Sequence, residues 1–392
     1  MQNSRIMTAR RIWLKIHLYL GLWAGLVFVL LGLTGSLLVF DHAIDEWLNP
    51  SLLRTANAGA HRPLEEIAAA AARACPDLPP PDFLMLPRRP GGVYTVFFAG
   101  PAGSDDSYRV EVTVDPVTGE VLGRRVWGEY LMSWIYKLHY TLHLAALGET
   151  VVGLTGFLLM ASVATGAYLW WPILRRGGLR RSLRIKRSHL AFDLHKIVGS
   201  ASALVLVVLA FTGAYMIFPE WFKPALAVVS TETPYPADLR SRARPGTAAI
   251  RVDEAVAIAA HVFPDARLKG VQLPRGPEGV FVITMRRPGE VRRSWGASRA
   301  WIDQYGGEVL VVRDGLDQTF ADTFIAWQFP LHSGEAFGLA GRWVVCGAGL
   351  TPALLYATGL RLWWRKRRSR GRQQARKAHR RLRPALAQSE AG

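Results

Sequence analysis

KIHLYLGLWAGLVFVLLGLTGSLLVF, Lys15 to Phe40, carries no charge from Leu18 onward. At a rise of about 1.5 Å per residue, a run of that length crosses a bilayer core of about 30 Å. The pattern returns as DLHKIVGSASALVLVVLAFTGAYMIF, Asp193 to Phe218. His17 matches His195, Gly21 matches Gly199, Thr34-Gly35 matches Thr212-Gly213 and Phe40 matches Phe218, all at one offset without a gap. Two apolar spans that begin on the same histidine imply one unit used twice.

Working outward, the apolar residues, 50% of the chain, bunch into four blocks separated by polar segments. The net charge of +18 is placed unevenly. Nearly half of the basic residues lie before the first block, between the second and third (Arg175 to Arg187), or after the fourth (Arg361 to Arg383). The remaining segments are close to neutral, which is the positive-inside asymmetry of a polytopic membrane protein. The charge therefore points to anionic lipid headgroups, met by the tail Arg365-Lys366-Arg367-Arg368, and not to nucleic acid. The first block exceeds a signal-peptide core, has no small-residue cleavage site after it and has a full-length repeat, so it reads as a retained span. Cys75 and Cys346 form no disulfide framework or zinc motif, and no C-x-x-C-H occurs, which argues against covalently attached haem.

The chain divides into residues 1–41 (inner N-terminus and first span), 42–146 (first outer domain), 147–173 (second span) and 174–190 (basic loop). It continues as 191–218 (third span), 219–337 (second outer domain), 338–364 (fourth span) and 365–392 (basic tail). The outer segments are also copies. Leu64 to Asp77 aligns with Val252 to Asp265, and Asp115-Pro-Val-Thr-Gly-Glu-Val-Leu122 aligns with Asp303-Gln-Tyr-Gly-Gly-Glu-Val-Leu310. Alternating runs such as Val93 to Phe98 and Val280 to Met285 predict strands. Each outer domain thus reads as one helix on a small antiparallel sheet. The Asp-x-x-x-Gly-Glu element is a hairpin turn with glycine at positive φ, which explains Asp115 and Asp303 without catalysis. The predicted class is membrane α+β: four transmembrane helices in two parallel repeats with two small α+β outer domains.

His17 and His195 lie at the inner ends of spans one and three. His143 and His332 lie before spans two and four, on the outer side. His139 precedes His143 by one helical turn, with Gln328 as its counterpart, and can replace or supplement it. Neutral imidazoles on facing helices are axial ligands of a b-type haem, and two such pairs hold two haems on a path for electrons. A histidine near the interface also satisfies a headgroup or a carbonyl. The repetition of two pairs at matching depth favours ligation. Flanking glycines, among them Gly21, Gly25, Gly153 and Gly156, either admit a flat macrocycle or simply pack helices. Arg286-Arg287 and Arg292-Arg293 can attract an anion or lie solvated on a hairpin. Trp127, Trp134, Tyr136 and Trp327 can pack on a ligand or sit in the aromatic belt. No P-loop, dinucleotide fingerprint, nucleophile elbow or H-E-x-x-H is present.

Arg11, Lys15, His17 and Gly21, the Leu33-Thr34-Gly35 triplet and the two D-x-x-x-G-E-V-L hairpins resemble the PepSY-associated transmembrane family. The second copy keeps His195 and Gly199 but has His189 where the first has Arg11. The resemblance covers nearly the whole chain apart from the basic tail. It implies a bacterial inner-membrane protein with cytoplasmic termini and two periplasmic PepSY-like domains. It also implies a haem-containing reductase that releases iron from a periplasmic ferric siderophore. The haem-ligand roles would fall on His17, His195, His143 and His332. Electrons would come from a quinol or flavoprotein donor. The alternatives are a non-enzymatic membrane protein that binds a peptide, protease or transport partner, and a cytochrome subunit of another reductase.

Overall fold

The computed structural model describes residues 2–101, 108–242 and 246–389. In chain order its elements are α1 (Gln2–Trp23), α2 (Gly25–Leu38), α3 (Asp41–Leu48), α4 (Pro50–Leu53) and α5 (Leu64–Ala74). Next come β1 (Phe83–Met85), β2 (Tyr94–Ala99), β3 (Arg109–Val114), β4 (Val121–Val126), α6 (Leu131–Thr141) and α7 (Ala145–Ser182). Then follow α8 (Leu190–Ile217), α9 (Pro219–Ala227), α10 (Val252–Val262), β5 (Arg267–Gln272) and β6 (Val280–Arg286). The chain closes with β7 (Ser298–Asp303), β8 (Val309–Arg313), α11 (Phe320–Ser333) and α12 (Gly338–Ser389). They form a helical unit, Met1–Ser36 with Leu154–Ala214 and Cys346–Gly392, and a sheet unit, Leu37–Gly153 with Tyr215–Val345.

Three helices, Ala145–Arg180, Arg187–Ile217 and Glu335–Gln374, are long and apolar enough to cross a membrane. The pair Ala9–Trp23 and Gly25–Leu38, bent by 54° at the break, is the fourth candidate. The uninterrupted first span expected from sequence is therefore two helices. The bend coincides with a close approach: a Cβ on Gly25 would lie 2.7 Å from Cδ2 of Tyr356 on α12, so only glycine admits that ring. Further along, a Cβ on Gly32 would meet the Gly349 carbonyl at 2.3 Å. Beside it the Ser36 hydroxyl donates to the Cys346 carbonyl at 2.8 Å. α7 and α8 use the same device, with Gly156 against the Ala210 carbonyl and the Ala214 methyl. Small residues let two backbones approach where lipid offers no hydrophobic drive for helices to associate.

The sheet unit carries one antiparallel sheet of eight strands in the order β4-β3-β2-β1-β5-β6-β7-β8. Two four-stranded meanders meet at its centre, where Leu84 pairs with Val271. The two outer segments, read from sequence as separate small domains, are thus joined through one sheet. Its strands alternate: Leu84, Val96, Phe98, Val112, Val271, Ile283 and Ile302 face one way and are fully buried. α5 and α10 cover that face. Leu64, Ile67, Ala68 and Ala71 of α5 recur at helical spacing, and α10 contributes Val252, Ala255 and Ala259. The two helices cap each other. Asp253 accepts from the Leu64 and Glu65 amides at 2.8 and 3.1 Å, and Glu65 accepts from the Val252 amide at 3.1 Å.

Both hairpins are built as their sequences predict. Gly119 and Gly307 take φ of +75° and +68°. Asp115 accepts from the Val117 and Thr118 amides at 2.8 and 2.9 Å. Asp303 accepts from Tyr305 and Gly306 at 2.9 and 2.6 Å. Desolvation pushes the Asp115 carboxyl up, but bonds from Thr55, Thr118, Asn57 and Val117 outweigh it and hold it well below the usual range.

Candidate functional site

Each unit holds one pair of histidines. In the helical unit the rings of His17 (α1) and His195 (α8) have centroids 6.1 Å apart and stand at 88° to one another. Both are oriented the same way. His17 Nδ1 donates to the Ser162 carbonyl at 3.1 Å and lies 3.0 Å from the Thr165 hydroxyl on α7. His195 Nδ1 donates to the Leu355 carbonyl at 3.1 Å and lies 3.0 Å from the Thr358 hydroxyl on α12. A carbonyl oxygen only accepts, so Nδ1 carries the proton and the lone pair sits on Nε2, the tautomer that second-sphere partners impose on metal-binding histidines. The following glycines make room for the rings. A Cβ on Gly166 would stand 3.2 Å from His17 Cε1, and one on Gly359 would stand 3.5 Å from His195 Cε1. Thr165-Gly166 and Thr358-Gly359 are therefore histidine seats.

In the sheet unit the partner of His332 is His139. Their centroids lie 6.2 Å apart at 59°. His139 stands in the last turn of α6 and His332 in the last turn of α11. His143 is placed otherwise. α6 stops at Thr141, Leu142 takes the left-handed conformation, and His143 follows with φ of +55°. The helix face expected to carry both His139 and His143 does not exist. The His143 ring packs on Trp134 with centroids 4.7 Å apart, and its Nε2 donates to the Trp134 carbonyl at 3.1 Å. A sequence signal for this neighbour is present: the offset that matches Thr165-Gly166 with Thr358-Gly359 also matches Trp134-x-Tyr136-x-Leu138-His139 with Trp327-x-Phe329-x-Leu331-His332. It needs no gap, and it pairs Gln328 with Ile135. Gln328 is buried, and its side-chain amide donates to the Phe324 carbonyl at 2.7 Å.

The other histidines serve locally. His61 bonds the Tyr94 hydroxyl at 3.0 Å, His261 the Ala257 carbonyl at 2.7 Å, and His189 sits in the turn Arg187–His189. His379 falls in the part of α12 whose side chains lie outside the described ones. Of the arginines singled out in sequence, Arg287 is paired with Asp265 and Asp314.

Two imidazoles that each donate at about 2.0 Å to a metal between them hold their centroids roughly 6 Å apart. Both pairs have that spacing. Among the described residues no three metal-ligating side chains gather. No curated protein matches this chain. The PepSY-associated TM region family matches it over residues 14–366, which include all five histidines singled out above. A membrane protein by its apolar helices and by this match over nearly its whole length, the chain belongs to the PepSY-associated transmembrane family.

Proposed function

We propose that the protein is a bacterial inner-membrane b-type cytochrome that passes electrons to a periplasmic ferric siderophore, releasing the more weakly bound ferrous ion. In this reading the chain is two parallel repeats with cytoplasmic termini, the sheet unit is periplasmic, and a quinol or flavoprotein donates electrons. The observation that carries it is the pair of histidine pairs, with ring centroids 6.1 and 6.2 Å apart and the first with both lone pairs set on Nε2. The rings are also closely seated, since a Cβ on Gly166 would stand 3.2 Å from His17 Cε1, which suits a site that holds a haem. His17 with His195, and His139 with His332, would hold the two groups. Haem b bound there supplies a one-electron carrier that cycles between ferric and ferrous iron.

The chain's own contribution is to hold and orient. The Thr165 and Thr358 hydroxyls and the carbonyls behind them keep each ring from turning. The electron needs no protein nucleophile or general acid.

An absorption spectrum of the purified protein, air-oxidised and then reduced with dithionite, tests this reading. A bis-imidazole haem b spectrum with about two haems per chain is expected. A featureless spectrum after expression with ample haem would overturn it, and would favour a binding module without redox chemistry.

A further inference from the structure

The sheet face opposite α5 and α10 is not packed solid. In the first meander its side chains include Phe83, Met85, Thr95, Phe97, Glu111 and Arg125, on alternate positions of β1 to β4. With α3 and α6 they wall a cavity of about 750 Å³ that lies wholly in the sheet unit, within the size range of small-molecule sites. The second meander treats the matching face differently. Trp301 stands at the strand position of Thr113, Tyr235 packs on it at 5.5 Å, and Arg299 donates to the Tyr235 hydroxyl at 3.0 Å. There Tyr235 covers Trp301, at the strand position that Thr113 holds in the first copy.

The wall has a definite chemical bias. Most of its acids are engaged by the protein. Asp45 and Glu111 both accept from Arg125 at 2.7 Å, and Glu46 is bonded by Arg89. Asp41 accepts its neighbour's amide, that of His42, at 2.7 Å. Two cations are not matched in this way. Arg88 forms no ion pair among the described residues and donates only to Met85 Sδ at 3.5 Å. Arg292 lies over the Phe329 ring at 4.3 Å, and its Nε is buried without a hydrogen-bond partner, 3.8 Å from Glu335. Asp41 and Glu335 each attract one of these guanidiniums, Arg88 and Arg292 respectively. His42 also lines the cavity, beside the charges of Arg88, Arg342 and Arg125. Around these donors stand the rings of Trp127, Tyr136 and Trp295.

We infer that this cavity binds an organic anion with a flat aromatic body, its oxygens taken by the guanidiniums of Arg88 and Arg292 and its ring received by the aromatic wall. A fork of N–H donors matches carboxylate or catecholate oxygens, and rings and guanidiniums both stack on an aromatic plane. A free aromatic acid and its ferric complex share this chemistry. The inference goes beyond the redox reading and does not depend on it.

The test is calorimetric titration of the full-length protein in detergent with 2,3-dihydroxybenzoate, its neutral methyl ester, and the acid with one-third of an equivalent of Fe(III). The acid or its ferric complex should bind saturably, at least tenfold tighter than the ester. Arg88→Gln and Arg292→Gln should each weaken the anion at least fivefold and leave the ester unchanged. Arg240→Gln, an exposed surface pair with Glu278, should change neither. Tighter binding with Fe(III) identifies the chelate as the preferred form, and equal binding identifies the free acid. Should Arg292→Gln fail to fold, Arg88→Gln decides alone, since it breaks no ion pair. Equal binding of acid and ester, no saturable binding of either anion, or full affinity in Arg88→Gln would overturn the proposal.

Discussion

His139 and His143 differ by four positions, yet only one of them meets His332, because α6 ends between them. On the haem reading, His139→Ala should lower the haem content from about two per chain to about one, and His143→Ala should leave it unchanged. Pyridine haemochrome analysis against protein concentration reads the ratio. A loss in His143→Ala with none in His139→Ala would reverse the assignment. Gly166 gives a second handle, because a side chain there enters the space of the His17 ring. Gly166→Leu should abolish the haem of the helical unit alone, leaving the spectrum of the His139/His332 site. An unchanged haem count would mean that the ring has room to move and that the close approach is incidental. Sequence showed that Thr-Gly repeats; it did not show that each threonine faces a histidine from another helix, a contact between residues far apart in the chain.

At the level of elements, the two Asp-x-x-x-Gly-Glu hairpins work as turn locks. Burial raises the Asp303 carboxyl, but bonds from Gly306, Arg242, Tyr305 and Ser241 outweigh it and depress it, as they do for Asp115. A carboxyl depressed in the folded state adds stability that is fully present above its unfolded value, near about 3.9, and is lost as pH falls through the folded value. The sheet unit should therefore lose stability from about pH 4 downward. Asp115→Asn and Asp303→Asn should each destabilise it by about 1–3 kcal/mol at neutral pH and flatten that acid dependence. Denaturant midpoints measured by tryptophan fluorescence at neutral and acid pH would show it. An acid slope that survives both substitutions would place the titration elsewhere. The break between α1 and α2 belongs to the same scale. Uncharged composition predicts a span but not its straightness, and the bend accompanies the approach of Tyr356 to Gly25 from a distant helix.

For the molecule as a whole, the joint between β1 and β5 makes the halves interdependent. β1 is three residues long and pairs on both sides, with β2 and with β5. α5 and α10 supply each other's caps and share one hydrophobic cluster across the joint. Residues 1–190 and 191–392 produced separately should each expose a sheet edge and half of that cluster, and should aggregate or be degraded. Produced together they should recover a protease-resistant sheet unit. Stable, monomeric sheet domains from either half alone would show that the repeat units fold independently.

Periodicity and repetition determined most of the architecture without coordinates. Uncharged runs of membrane length, alternation in the strands, the turn glycines and the constant offset between copies are local patterns, and local patterns can be read along a chain. His17 and His195 were legible for the same reason, since their offset carries through the whole span. Three features were decided only in three dimensions. His139 replaced His143 because a helix terminus fell between them. The outer copies joined into one sheet because the short β1 finds its second neighbour in β5. The cavity formed on the sheet face where the second copy instead packs Tyr235 on Trp301. Each depends on which distant side chains compete for one volume, and that competition leaves no periodic trace in the sequence.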